Sequence, residues 1–291
     1  RCRGRSAPAT SGKRSSLDVA ARARTRALAL ALPALVVFLA FWLLPMARLL
    51  QVGGSGKEGL AAYAAVVTNA QYFKSLVSTV ALSAATTVAT LALSLVAGLF
   101  LQRNRFPGRS MLMAVLTLPL AFPGVVVGFL VILFAGRQGL IGDLTEWAFG
   151  EKLVFAYGMA GLFTGYLYFS IPRVILTLMA SIEKLDPALE EAARSLGATP
   201  WQVTRDVILP ALQPALLSSG AICFATSMGA FGTAFTLATQ INVLPITIYN
   251  EFTNYANFSM AAALSIVLGL ITWAVLALAR TASGAGVAAS A

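Results

Sequence analysis

The chain contains no histidine, and its two cysteines, Cys2 and Cys223, stand far apart in the sequence. That leaves no ligand set for a structural zinc site, no disulfide framework and no imidazole for acid–base work. Charge is scarce too: 11% of the residues are Asp, Glu, Lys or Arg, against about 25% in soluble globular chains. A nucleotide-binding loop is also missing. "QVGGSGKEG" resembles one only briefly, because a Gly-x4-Gly-Lys-Ser/Thr motif would need glycine at Gln51 and Ser or Thr at Glu58.

What is present is apolar: 58% of the chain, with a mean hydropathy of +0.80, which places it in the membrane class. Six runs approach the ~20 residues that a helix needs to cross ~30 Å of hydrocarbon. They are Ala27 to Leu50, Ser75 to Leu101, Met111 to Ala135, Leu153 to Ile171, Ala215 to Ala238 and Phe258 to Ala279. The fourth is read as extending through "VILTLMASI". In lipid each run must be helical to satisfy its own backbone, so the expected class is all-α. A secretory signal is the rival reading of the first run. That run is longer than the ~7–15 residues of a signal core, and no clear cleavage site follows it.

The net charge of +10 is not spread as on a nucleic-acid-binding surface: eight of 21 basic residues precede residue 27. With six spans and a cytoplasmic amino end, sixteen basic residues fall inside and five outside. This count includes Arg173 with the inside segments and fits cytoplasmic termini. Residues 1–26 read as a disordered basic tail that only anchors, and "IGDLTEWAFGEK" as a short interfacial helix with Trp147 at headgroup level.

One polar stretch interrupts this pattern, "LDPALEEAARSLGATPWQVTRDVILP", between the fourth and fifth spans. Asp186 can cap a first helix with Pro187 at its start, and Glu190, Glu191 and Arg194 complement the dipole. Leu185, Leu189, Ala192, Ala193 and Leu196 recur at helical spacing, and Gly197 stands where a left-handed residue ends a helix. Thr199, Pro200 and Gln202 then read as the capping box of a second short helix carrying Trp201, Val203, Val207 and Ile208. Pro210 follows at the entry to span five, tolerated in a first turn or producing a bend. An interfacial hairpin that merely closes the loop is the plainer alternative. A DNA-binding helix-turn-helix is disfavoured, because four acidic residues face two basic ones from Asp186 to Asp206.

Residues 191–210 resemble the EAA loop of the permease subunits of binding-protein-dependent ABC importers. The match runs through Glu191, Ala192, Ala193, Gly197, Val207 in the position of the family's isoleucine, Leu209 and Pro210. The resemblance implies a polytopic, six-span, type I ABC importer permease (MetI-like) fold. It also implies that the helix from Glu191 to Gly197 seats in a cleft of a separate ATPase subunit, with Leu189, Ala192, Ala193 and Leu196 supplying contact area and Glu191 a carboxylate. The implied partners are two ABC ATPase subunits that bind ATP and magnesium, a second permease, identical or homologous, an extracytoplasmic solute-binding protein, and the bilayer of a bacterial inner membrane. The chain itself would hold no cofactor and no catalytic site. Expected boundaries are a tail at 1–26, a first span with its external loop at 27–71, a permease core at 72–280 with the coupling loop at 182–210, and a cytoplasmic tail at 281–291.

The spans carry almost no charge, which disfavours a proton-coupled secondary transporter. Such a transporter, or a channel, is the alternative class. Span five is dense in small residues, so Ser219, Ser227 and Gly229, with Asn242 just beyond, are candidate path residues; plain helix packing explains the serines and the glycine equally well. Pro119, Pro123, Gly124 and Gly128 predict a bend in span three. The Tyr- and Asn-rich link 240–258 suits a path mouth, a docking surface or an aromatic belt. The "NFSMAAALS" entry to span six resembles permeases for polyamines, phosphonates, ferric iron, sulfate and thiamine, so a polyamine or an aminophosphonate is the expected cargo.

Overall fold

The computed structural model describes residues 30–56, 59–237 and 241–283. The expected amino-terminal tail, residues 284–291 of the expected carboxyl tail and part of the glycine-rich linker around Lys57 lie outside these residues. The chain separates into two compact units, one ending at Val52 and the other beginning at Gly53. Among the described residues, six helical stretches are long and apolar enough to span a membrane.

Helix α1, Leu30–Gly54, carries the first unit. Its stretch Leu39–Leu43 is π-helical, with the Leu44 amide donating to Leu39 O. Pro45 lies just beyond. A proline ring collides with the carbonyl four residues back, and a bond reaching five residues back relieves the collision.

In the second unit, α2 (Ala61–Thr68) leads into α3 (Ala70–Arg103), a helix of 34 residues capped by the Asn69 side chain, which accepts from the Gln71 amide. The buried face of α3 includes Ser75, Thr79, Ser83, Thr86, Thr90, Ser94 and Gly98. Small side chains at three- and four-residue spacing let neighbouring helices come close. The Ser94 hydroxyl donates to Ile171 O across one such contact, at 3.3 Å. A Cβ on Gly98 would rest against Leu178 at 3.7 Å.

Span three is broken rather than merely bent. Helix α4 (Arg109–Thr117) tightens into a 3-10 turn at Leu118–Ala121, and α5 (Gly124–Ala135) starts after an extended Pro123. Pro119 and Pro123 have no amide to donate, and two such gaps four residues apart favour the break seen here. The stretch Gly124–Phe149, taken across the turn at 136–139, is the one with the length and hydropathy of a span. It includes α6 (Leu140–Phe149), where an external helix was expected, with Trp147 exposed.

Helix α7 (Met159–Ile182) begins later than expected and continues through Pro172. The residues before it fold back instead, the Phe155 and Ala156 amides both donating to Ala135 O at 3.1 Å. Span five starts earlier. Residues Pro200–Val203 form one helical turn (α9) that runs through a π-helical segment, Thr204–Ile208, into α10 (Leu209–Met228). The second loop helix is thus the start of span five and not a separate element. Chain order ends with α11 (Phe231–Leu237), α12 (Leu244–Thr253) and α13 (Phe258–Ala282).

The link between α11 and α13 contains α12, which is fixed to α3 by polar contacts. Thr79 accepts from the Leu244 amide at 2.7 Å, Thr247 donates to Ser75 at 3.0 Å, and the Tyr72 hydroxyl donates to the buried Glu251 carboxylate at 2.8 Å. A buried carboxylate is costly unless hydrogen-bonded, so Tyr72 stabilises this seat.

Candidate functional site

The polar loop is built from α8 (Pro187–Ser195) and the start of α9. Asp186 accepts from the Ala188 amide at 2.9 Å, with Pro187 in the first turn. The far end closes on Gly197 at φ +83°: the Gly197 amide donates to Arg194 O and the Ala198 amide to Ala193 O, at 2.9 and 3.1 Å. This paired closure is the Schellman arrangement. Thr199 and Gln202 then cap each other reciprocally. Caps of this kind contribute about 1 kcal/mol apiece, so three in succession hold the loop in one shape.

Glu190 forms an ion pair with Arg103 at the end of α3, and Arg194 stands 3.8 Å from its other oxygen. The loop is thereby tied to a third membrane helix besides the two it connects.

The apolar stripe of α8 divides. Leu185, Ala193 and Ala198 pack on a core cluster that contains Val203, Ile208 and Leu212. Leu189, Glu191, Ala192 and Leu196 face outward, and Val207 lies half-buried while Leu209 and Pro210 are exposed. Leu189 is 55% exposed, Leu196 89% and Trp201 72%. Three large apolar side chains displayed on a rigid element form an incomplete surface. Ala193, half-buried, is on the inner face of the loop. Trp201, which was given no contact role, belongs to the outer one.

The path candidates do not share one surface. Ser219 is buried and donates to Ala215 O at 2.6 Å. Ser227 is also buried, and among the described residues its hydroxyl has no partner, as is true of Ser83, Thr86, Thr90 and Ser170. Gly229 is exposed at a break in span five and lines an apolar cavity of about 350 Å³ with Phe231, Tyr249 and Phe252. Asn242 is exposed beyond that break. The break itself is stabilised by the buried Tyr166, whose hydroxyl donates to Ala230 O at 2.9 Å. Beyond it, α11 crosses α5, with Thr233 donating to Gly124 O at 2.9 Å and Thr236 to Val125 O at 3.3 Å. Neither Tyr166 nor these threonines stood out in the sequence. A tyrosine inside an apolar run needs a hydrogen-bond partner, and that was the available signal.

Residues 91–283 match the family described as the binding-protein-dependent transport system inner membrane component. The chain belongs to this family. Among its relatives, the molybdenum transport system permease protein ModB of Escherichia coli K12 is 36% identical over 57% of this chain and 74% of that protein. The sulfate transport system permease protein CysT of the same organism is 34% identical over 59% and 63%. A putative 2-aminoethylphosphonate transport system permease protein, PhnU of Salmonella typhi, is 30% identical over 80% and 83%. The fold is that of a chain in a bacterial alginate ABC transporter solved with its alginate-bound periplasmic protein: TM-score 0.76, 20% identity, 90% of this chain and 95% of that one. The protein is a polytopic, all-α permease subunit of the ABC importer class.

Proposed function

We propose that this permease, in the type I (MetI-like) arrangement, forms one half of a translocation path in a bacterial inner membrane, both termini cytoplasmic. A second permease subunit, identical or homologous, completes the path. Two ATPase subunits holding ATP and magnesium drive it, and an extracytoplasmic binding protein delivers the solute. An aminophosphonate is the cargo of the sequence reading that a named relative shares.

The observation that carries this reading is the outward face of the 186–210 loop. Leu189, Leu196 and Trp201 are exposed on an element that is capped at three points and joined to α3, α7 and α10. Apolar surface without cover, on a support too stiff to yield, suits an element that receives force from a docked partner. Glu191, Ala192 and Gly197 complete that docking face, with Val207, Leu209 and Pro210 transmitting the push into span five.

Replacing Leu196 with Asp removes about 1.5–3 kcal/mol of contact burial and presents a charge where the ATPase would sit. Co-purification of the ATPase should fall at least tenfold, with the permease still extracted from membranes at its usual level. Undiminished co-purification would overturn the reading.

A further inference from the structure

Arg173 is the one charged residue of α7. The charge count placed it with the cytoplasmic segments, whereas it lies within the helix, directly after Pro172. A cation on a membrane helix costs about 2.5–3.5 kcal/mol near the centre, and such residues characteristically pair or face a water-filled space. Among the described residues, no carboxylate lies within ion-pair distance of Arg173 and its guanidinium makes no hydrogen bond.

Arg173 is exposed and borders a space instead. Arg173 lines a cavity of about 220 Å³ together with Phe122, Gly124, Phe169, Thr226 and Thr233. The walls come from the broken segment of span three, from α5, α7 and α10, and from the α11 side of the span-five break. No acidic residue is among them. At about 30 Å³ per water, the volume accommodates a compact polyatomic ion with part of its hydration. Gly124, the first residue of α5, stands on the same wall, so the positive end of that helix dipole adds to the field of the guanidinium. A snorkelling membrane anchor would direct its charge to headgroups. Here the residue borders a recess beside the breaks in spans three and five.

We propose that this recess is a station for a tetrahedral oxyanion on the translocation path, with Arg173 as the residue that recognises its charge. A planar guanidinium binds sulfate-, molybdate- and phosphonate-type groups through paired N–H donors. The same field repels a polyamine, so of the two cargoes that the sequence suggests, the aminophosphonate is retained. The inference rests on the transport reading above and narrows its substrate class.

The test uses the assembled complex of permeases, ATPase subunits and binding protein, reconstituted in phosphatidylcholine vesicles with and without phosphatidylglycerol. ATP-driven uptake of labelled sulfate, molybdate, 2-aminoethylphosphonate and spermidine is measured. The wild type should carry at least one of the three oxyanions and should not carry spermidine. Arg173→Gln should lower oxyanion uptake at least tenfold in both lipid mixtures, and Arg173→Lys should restore part of it. If Arg173→Gln fails to assemble, Thr226→Asp, which sets a carboxylate on the same wall, should produce the same loss. Uptake of spermidine alone, uptake of none of the oxyanions, or wild-type uptake by either variant would overturn the proposal. A loss confined to phosphatidylglycerol vesicles would overturn it as well, because the guanidinium would then be holding a lipid phosphate. Failure of the wild-type permease to bind the ATPase, checked first, would defeat the transport reading itself.

Discussion

At the scale of single residues, the loop turns on Gly197. Its φ of +83° lies in the left-handed region, and nothing stands within 4 Å of where a Cβ would be. Substitution there meets no steric clash; its cost is backbone strain, about 1–2 kcal/mol and larger for a β-branched side chain. Gly197→Val should therefore shift the loop out of its closed form and reduce solute-stimulated ATP hydrolysis in reconstituted membranes about five- to thirtyfold. Helical content by circular dichroism should be unchanged. Normal stimulation would show that the Gly197 turn does not transmit force. This residue was legible in the sequence because a capped helix, a glycine and a second capping box leave few alternatives. Glu251 was not: nothing in "TIYNEFTNYANF" marks it as buried, and only the long-range approach of Tyr72 makes its burial tolerable.

At the scale of elements, the existence of the spans was legible from hydropathy, and their interruptions were only partly so. Prolines marked the break in span three. In span five the expected boundary between loop and membrane helix does not exist, because helix α9 continues through a π turn into α10. Both π segments precede a Leu-Pro pair, Leu44-Pro45 and Leu209-Pro210, which supplies a common steric cause. Pro214, inside α10, and Pro172, inside α7, lie in stretches that stay α-helical; the structure offers no account of that difference. Pro210→Ala should let the helix return to α-helical register, turning the loop end by about 100° per residue relative to α10. Spin labels at Gln202 and Ser218 should report a changed distance, accompanied by weaker coupling of ATP hydrolysis to uptake. An unchanged distance would mean that Pro210 is not the cause of the π turn. The polar stripe of α3 was open to view at three- and four-residue spacing, yet serine and threonine in an apolar run do not announce which face is buried until the neighbouring helices are in place.

At the scale of the molecule, two observations act together: an uncovered apolar face on a stiff loop and a lone guanidinium at a recess between helix breaks. Family membership follows from residues 91–283. The most direct test of docking labels a Leu196→Cys permease with a membrane-impermeant maleimide, in a Cys2→Ser background so that the buried Cys223 is the one native thiol. The account predicts labelling in inside-out vesicles and not in right-side-out ones, with protection when the ATPase subunit is bound. Labelling from the external side, or labelling unaffected by the ATPase, would contradict it.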